Sequence, residues 1–348
     1  MPDRDAAVWP WAPLPDRDAA VWPWFRARVA AIRAKQDAAR RGSAAARPDV
    51  VVRTAVVTDS AAALPADWTA GLSGDGRLTV IPMPVMVGEE IYGEGEDDIS
   101  ETIALALASG TSVKTSRPSP GQFEQAYLAA QQRGYEAVVS VHISGGLSGT
   151  ADAARLAAAR VGIRVEVVDS ATVGMALGMA VQESVRTAAE GAGAEAVAAA
   201  AAGQAASTRV YFYVPSLEQL RRGGRIGAAA SLWGTMLAIK PILAVDDGRI
   251  VPLEKVRSAA KAVARLEEIV AADASARPDG VRLAVHHFGN PVEAERLAAR
   301  LAAALPHCPP AQISALPAVL AAHAGLGVLA VIVGGGSVGA SSVSGDAG

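Results

Sequence analysis

Three patterns typical of buried strands are each followed in this sequence by a polar loop and a helix pattern. The β-branched, apolar runs lie at residues 50–57, 137–143 and 165–168. They lead into Thr58-Asp59-Ser60, into the loop 144–150 and into Asp169-Ser170. Strands that alternate with helices in this way predict βαβ units and a mainly parallel sheet. Because ligands of such sheets bind outside the carboxyl ends of the strands, we expect the three loops to line one rim.

The second half of the chain has a more antiparallel pattern. A strand is predicted at residues 209–214, a hairpin with an Asp-Gly turn at 242–253, and further strands at 281–285 and 328–333. The length of 348 residues is about twice that of a usual domain. We therefore predict an α/β protein of two domains. Residues 50–175 form a mainly parallel sheet with flanking helices, and residues 176–336 form an α+β domain with a mixed sheet.

The composition argues against several classes of function. Lys and Arg number 32 against 35 Asp and Glu, so the net charge of −3 gives no electrostatic case for nucleic acid. One cysteine, Cys308, and five histidines leave little material for a metal site, and we expect no metal or cofactor. The single cysteine also fits the reducing cytoplasm. The longest apolar stretch, 317–333, is too short and too rich in glycine for a transmembrane helix, and predicts a buried helix-turn-strand.

Residues 1–49 lie outside these patterns. The ten residues PDRDAAVWPW occur twice, at 2–11 and 15–24, and a basic amphipathic helix is predicted at 25–41. Two interpretations stay open: an appended segment that packs loosely, or an arm that binds a membrane surface or a partner. Residues 337–348, which follow the last strand, are predicted to form a flexible tail.

A helix start and an unexplained pair of hydroxyl groups stand side by side in the middle of the first half. Ser119 as N-cap, Pro120 at the first helical position and Gln122 form a capping box. Thr115 and Ser116 precede this cap and are not needed for it. We therefore treat these two hydroxyl groups as candidates for ligand binding.

Seven motifs together resemble the DegV family in their order and spacing. They are Thr58-Asp59-Ser60, Thr-Ser-Arg-Pro-Ser at 115–119, the segment 143–150, Val168-Asp169-Ser170, Leu-x-x-Leu-x-x-Gly-Gly-Arg-Ile at 217–226, Lys-Pro-Ile-Leu at 240–243, and His-Ala-Gly-Leu-Gly at 323–327. The family is known for bacterial fatty-acid-binding proteins in which one acyl chain is enclosed between two α/β domains. In some members a separate kinase subunit phosphorylates the carboxylate of the bound fatty acid. The resemblance implies a carrier without catalytic residues, with a long-chain fatty acid as ligand and a fatty-acid kinase as a partner.

The resemblance also implies where the head group binds. The family binds the carboxylate through the serine of its Thr-Ser-x-Pro-Ser motif, here Ser116, and the histidine that matches His323 lies near the head group. A second contact in the family is a threonine, and this chain has Pro84 in its place. Proline supplies neither a hydroxyl nor an N–H group, so recognition is expected to differ there. Water or Thr115 would take over this contact.

Two further segments are candidates for the surroundings of the head group. The N–H groups of Gly145 and Gly146, in the loop that begins at Ser144, suit a phosphate. His286 and His287 are adjacent on a predicted strand, so their side chains point to opposite faces and at most one faces a ligand. His287 is the weaker histidine candidate, after the one in the last motif.

The run 221–225 places three arginines around two glycines. The resemblance implies that Arg225, together with Arg222, contacts an acyl phosphate or the kinase, and arginine pairs phosphate bidentately. A simpler alternative is a cation that stabilises the C-terminal end of a helix. Asp59 and Asp169 likewise have a structural interpretation, as acceptors for the N–H groups that follow them.

Enzymes of other classes find little support in the sequence. It contains no Gly-x-x-x-x-Gly-Lys-Ser/Thr loop, and the segment 146–150 departs from Gly-x-Ser-x-Gly at its last position. One alternative stays open: an enzyme that acts on a small acyl or phosphorylated substrate in the interdomain cleft. Ser116 and His323 would be its nucleophile and base, which requires hydrogen-bond distance between them.

Overall fold

The structure is a computed structural model that describes residues 52–93, 99–235, 239–278 and 280–336. The predictions for residues 1–49 and 337–348 lie outside these described residues. The described part contains thirteen strands, numbered in chain order. They are β1 (Thr54–Asp59), β2 (Leu78–Ile81), β3 (Pro84–Val87), β4 (Glu90–Gly93), β5 (Val113–Thr115), β6 (Ala137–His142), β7 (Arg164–Asp169), β8 (Arg209–Tyr213), β9 (Lys240–Asp246), β10 (Arg249–Val256), β11 (Val281–His287), β12 (Gln312–Ala315) and β13 (Leu329–Gly335).

Ten α-helices connect these strands within the described ranges. They are α1 (Ala66–Ser73), α2 (Ser100–Ser109), α3 (Pro120–Gln132), α4 (Thr150–Ala158), α5 (Met175–Ala189), α6 (Ala194–Ser207), α7 (Glu218–Arg222), α8 (Ala259–Ser275), α9 (Pro291–Ala304) and α10 (Ala318–Ala324). Short 3₁₀ helices lie at Ser60–Ala62 and Gly227–Thr235.

The first sheet is parallel throughout, with the strand order β2-β1-β6-β7. All residues of β1 and β6 are buried, because helices cover both faces of the sheet. Helices α3 and α4 pack on one face, where Phe123 and Tyr127 are fully buried, and α5 and α6 pack on the other. The prediction of a parallel sheet with flanking helices is confirmed.

The second sheet is mixed, with the strand order β10-β9-β8-β13-β11-β12. Neighbouring strands are antiparallel except β11 and β12, which are parallel. Helix α8 packs against this sheet and α9 packs on β11 and β12, while α5 and α6 contact β13. The predicted mixed sheet is confirmed. The domain boundary near residue 175 stays a prediction, and helix α5, which begins there, contacts both sheets.

A third sheet was not expected from the sequence. It is antiparallel, with the order β4-β3-β5, and Thr115 is the last residue of β5. Its strands have three or four residues each, too few for a recognisable alternation of apolar and polar side chains. Thr115 is therefore held in a strand rather than in a loop.

Two local predictions, the start of helix α3 and the fold of the apolar stretch 317–333, are confirmed. Ser119 is the N-cap of α3, and the capping box with Gln122 is present. The apolar stretch 317–333 folds into helix α10, a turn and strand β13. None of the helices among the described residues is long and apolar enough to span a membrane.

Candidate functional site

A cavity lies between the rim of the parallel sheet and one face of the mixed sheet, and together with its opening to solvent it encloses about 810 Å³. Most of the wall is aliphatic or aromatic and includes Ile143, Val210, Phe212, Val245, Ile250 and Ile332. Such a wall suits a hydrocarbon.

Four polar side chains interrupt this apolar wall near the ends of β5 and α10. They belong to Thr115, Ser148, Arg225 and His323. The Thr115 hydroxyl and His323 Nε2 are hydrogen-bonded at a distance of 2.7 Å. We call Thr115, His323 and Arg225 the polar end of the cavity. From the sequence, Thr115 and His323 are assigned to the carboxylate of a ligand and Arg225 to a phosphate or a kinase, and the structure places all three on the cavity wall.

His323 has an unusual environment. Its Nδ1 is buried without a hydrogen-bond partner among the described residues and lies against Gly223, where a Cβ atom would collide with the ring. Burial, and then the positive charge of Arg225, lower the pKa of His323 to about 4. The ring is therefore neutral near pH 7. When its Nε2 carries the proton, Nε2–H donates to Thr115, and the threonine hydroxyl is free to donate to an anion.

This environment differs from that of a typical general base. A general base needs a pKa near the working pH and a third group that orients its second nitrogen. His323 has a low pKa, and its Nδ1 has no such group in the described part of the chain. In the enzyme alternative, Ser116 would be the nucleophile and His323 its base. The structure does not pair these two residues, because His323 is hydrogen-bonded to Thr115 and not to Ser116.

Ser116 and Pro84 lie next to the polar end but outside the cavity wall. The Ser116 N–H donates to the Pro84 carbonyl at 3.0 Å, which continues the pairing of β5 with β3. The Ser116 residue is exposed. Pro84 therefore fixes the position of Ser116 through its carbonyl oxygen, a group that proline has like any other residue.

Arg225 is held at the end of helix α7 and also lines the cavity. Its Nε donates to the Leu147 carbonyl at 3.0 Å and one terminal nitrogen donates to the Gly223 carbonyl at 2.6 Å, just after helix α7. The guanidinium is thus a helix-end cation and also part of the cavity wall. Arg222 is exposed, pairs with Glu218 and lies outside the wall.

The loop 144–150 does not present the phosphate cradle suggested by its glycines. The N–H of Gly145 donates to Asp169, and the N–H of Gly146 donates to the Ser144 hydroxyl. The next two N–H groups donate to the Ser144 carbonyl. Ser144 in turn donates to the Gly248 carbonyl at 2.7 Å, which ties this loop to the hairpin of the mixed sheet. The loop contributes to the cavity through Leu147 and Ser148.

The three strand-end loops converge as expected. Asp59 accepts from the N–H groups of Ala61 and Ile143, and Asp169 bonds Gly145 of the neighbouring loop. His142 is fully buried and is hydrogen-bonded to Asp59 and Ser140, so it is a core histidine. The structural interpretation of both aspartates is confirmed.

The prediction of His287 as the histidine of β11 that faces the ligand is wrong. His286 lies on the cavity wall, and His287 is outside it. Burial lowers the pKa of His286 to about 4 and also lowers the pKa of His287. The sequence indicated that at most one of the two faces a ligand, but periodicity does not show which face of a strand meets the cavity.

Among the described residues, no three or more His, Cys, Asp or Glu side chains lie close enough together to hold a metal ion. The polar end instead offers a hydroxyl, an imidazole and a guanidinium. These groups can donate hydrogen bonds to a carboxylate or a phosphate.

Comparison with known proteins agrees with this architecture. A family model described as "Uncharacterised protein, DegV family" matches residues 53–334. A DegV domain-containing protein of Streptomyces coelicolor is 44% identical over 279 residues, which cover 80% of this chain and 97% of that protein. A fatty-acid-binding DegV family protein from Thermus thermophilus is 32% identical, with a TM-score of 0.73, over 81% of this chain and 99% of that one. DegV, a fatty acid binding protein from Bacillus subtilis, is 31% identical, also with a TM-score of 0.73, over 82% and 99%.

A parallel sheet that faces a mixed sheet across an apolar cavity with one polar end defines a two-sheet α/β protein built around a ligand cavity. The family match over most of the chain makes the assignment specific. The chain belongs to the DegV family.

Proposed function

We propose that this protein binds one long-chain fatty acid, with its hydrocarbon tail in the cavity and its carboxylate at Thr115, Ser116 and His323. The observation that carries the proposal is the hydrogen-bonded Thr115–His323 pair at the polar end of an otherwise apolar cavity. The structural relatives from Thermus thermophilus and Bacillus subtilis, described as fatty-acid-binding proteins, support it. Ser116 follows Thr115 directly and is exposed, and the family resemblance is what supports it as a further contact to the carboxylate.

The size of the hydrophobic contribution is adequate for tight binding. Burying a chain of sixteen carbons at about 0.8 kcal/mol per CH₂ contributes on the order of 12 kcal/mol before the costs of association. The polar end therefore needs to satisfy the carboxylate rather than to supply most of the affinity. Two or three donors are enough for that.

We further propose that the protein is a carrier that presents the carboxylate to a separate fatty-acid kinase in the cytoplasm. Arg225 supports this, because two backbone carbonyls hold its guanidinium at the polar end, where a phosphoryl group would be added. Arg117 supports it as well. It is exposed, and one of its terminal nitrogens lies 2.7 Å from where a Cβ of Gly149 would be, beside the cavity-lining Ser148. We propose that both guanidinium groups contact the acyl phosphate.

Native mass spectrometry of the protein purified from a bacterial host tests the binding proposal. We expect a bound mass that corresponds to one long-chain fatty acid. The delipidated protein is then titrated with palmitate and with hexadecanol, which has the same chain but no charge. The difference between the two affinities gives the contribution of the carboxylate. Palmitate should bind more tightly. A protein that carries no lipid and binds neither compound would overturn the proposal.

A further inference from the structure

The face of the mixed sheet that forms the cavity floor has a small residue between two rings. Ala330 on β13 is the direct partner of Phe212 on β8 and of His286 on β11. Directly paired residues of neighbouring strands project their side chains to the same face, and all three residues lie on the cavity wall. The row Phe212–Ala330–His286 therefore forms a notch with the alanine at its base.

The His286 side of the notch is fixed in position and apolar toward the cavity. The Met175 N–H donates to His286 Nε2 at 3.0 Å, and Nδ1 is hydrogen-bonded to the Ser314 hydroxyl at 3.0 Å. Because Nε2 accepts, the proton of the neutral ring is on Nδ1. Both nitrogens are used, and His286 is 1% exposed. The ring thus offers carbon atoms to a ligand and cannot swing aside without losing two hydrogen bonds.

The cavity is also closely bounded above His286. Gly174, the N-cap of α5, has a φ of +63°, and a Cβ at this position would lie 3.3 Å from His286 Nε2 and 4.0 Å from a Leu320 methyl group. Gly174 and Leu320 both belong to the cavity wall. A side chain would be strained at Gly174 and would press on His286, so this point of the wall requires glycine.

We propose that Ala330 determines the length of the hydrocarbon chain that the cavity accepts, an inference that rests on the proposed function. In the notch a small side chain lies between two large neighbours on the cavity wall. Phe212 is 6% exposed and His286 is held by its two hydrogen bonds, so neither can yield space to a larger residue at 330. Carbon atoms added there occupy volume that the ligand would otherwise fill.

The experiment compares the parent protein with Ala330→Val and Ala330→Leu. Each is titrated with saturated fatty acids from decanoate to eicosanoate by displacement of a fluorescent fatty acid. The chain length of tightest binding should fall by about two carbons for valine and about three for leucine, matching the carbons added. Each methylene beyond the new optimum should no longer give its usual gain of about fourfold in affinity. Acids shorter than the new optimum should bind as they do to the parent.

Two further variants make the result specific. Ala284→Val adds the same bulk on the same face of β11, two residues before His286 and outside the cavity wall, so it should keep the parental optimum. Phe212→Leu enlarges the notch and should move the optimum to longer acids, which tests the inference even if Ala330→Leu does not fold. An unchanged optimum in Ala330→Val and Phe212→Leu, or an equal loss for all lengths, overturns the inference. If the parent itself binds no fatty acid, the proposed function fails instead.

Discussion

Thr115 Oγ1 lies 2.7 Å from His323 Nε2, although 208 positions separate the two residues in the chain. The contact joins strand β5 of the small antiparallel sheet to helix α10, whose C-terminal end precedes strand β13. It places a hydroxyl and a neutral imidazole at the same end of an apolar cavity, with Arg225 beside them. A carboxylate at this point would meet hydrogen-bond donors from both halves of the chain.

Removal of the hydroxyl groups tests this end of the cavity. Thr115→Val keeps the volume of the side chain and removes its hydroxyl, and Ser116→Ala removes the neighbouring one. We expect each variant to weaken the binding of palmitate by roughly 1.5–3 kcal/mol, the value of one hydrogen bond to a charged group. Isothermal titration calorimetry measures the change.

The exposed Ser112 provides the matched control for these variants. Ser112→Ala changes a hydroxyl close to the start of β5 and should leave palmitate affinity as in the parent. Parental affinity in Ser116→Ala, together with a loss in Thr115→Val, would show that Ser116 is not a carboxylate ligand.

Substitution of Arg225 distinguishes fatty-acid binding from phosphoryl transfer to the bound fatty acid. Arg225→Ala should bind palmitate nearly as well as the parent, because the carboxylate contacts come from other residues. It should fail to support acyl-phosphate formation with a cognate kinase and ATP, since the guanidinium that pairs with the phosphoryl group is missing. Transfer of labelled phosphate from ATP and a binding titration, run on the same preparation, give both values.

Arg222→Ala is the control for this experiment. Arg222 is exposed and pairs with Glu218, so its loss should reduce transfer much less than the loss of Arg225. Parental transfer in Arg225→Ala would leave Arg225 with its helix-end role alone. A collapse of palmitate binding in that variant would assign it to the carboxylate site.

The two buried cavity histidines predict a loss of stability in acid. Burial holds the pKa of His286 and of His323 at about 4, below the ordinary value of 6.5. Between these two values the unfolded chain binds protons that the folded chain does not, so the free energy of unfolding falls as the pH decreases from 6.5 to 4. The loss reaches about 3 kcal/mol for each histidine and is absent above pH 7.

Urea unfolding as a function of pH measures this dependence. His286→Gln removes one titrating group and keeps an oxygen able to accept from Met175 N–H. Its stability should fall less steeply in the acid range than that of the parent. Parallel pH curves for the two proteins would contradict the prediction, whereas a constant offset alone would reflect a change in packing.

Asp59 is expected to be essential for the stability of the parallel sheet. Its buried carboxylate accepts hydrogen bonds from His142 Nδ1 at 2.9 Å and from the N–H groups of Ala61 and Ile143, both at 3.1 Å. Asp59→Asn replaces one accepting oxygen by an NH₂ group that faces a donor. We expect the free energy of unfolding in urea to drop by about 3 kcal/mol.

The exposed pair of Asp75 and Arg77 gives the comparison for Asp59. Asp75→Asn should cost less than about 1 kcal/mol, because surface ion pairs contribute little. Equal effects of the two substitutions would show that the buried network at Asp59 does not stabilise the sheet.

The sequence by itself determined the parts of this protein that depend on neighbouring residues. Apolar runs followed by polar loops gave the parallel sheet, and Ser119 with Pro120 and Gln122 gave the start of α3. The Asp-Gly turn gave the hairpin of β9 and β10. Each of these features follows from local periodicity or from the dihedral preferences of a few adjacent residues.

Only the tertiary structure decided how the candidate site is assembled. His286 rather than His287 lies on the cavity wall, and His323 is hydrogen-bonded to Thr115 rather than to Ser116. The N–H groups after Ser144 donate to acceptors within the protein and not to a ligand. These outcomes depend on which strand face meets the cavity and on which donors and acceptors already have partners. Residues distant in the chain decide both, and side-chain period and motif spacing carry no information about them.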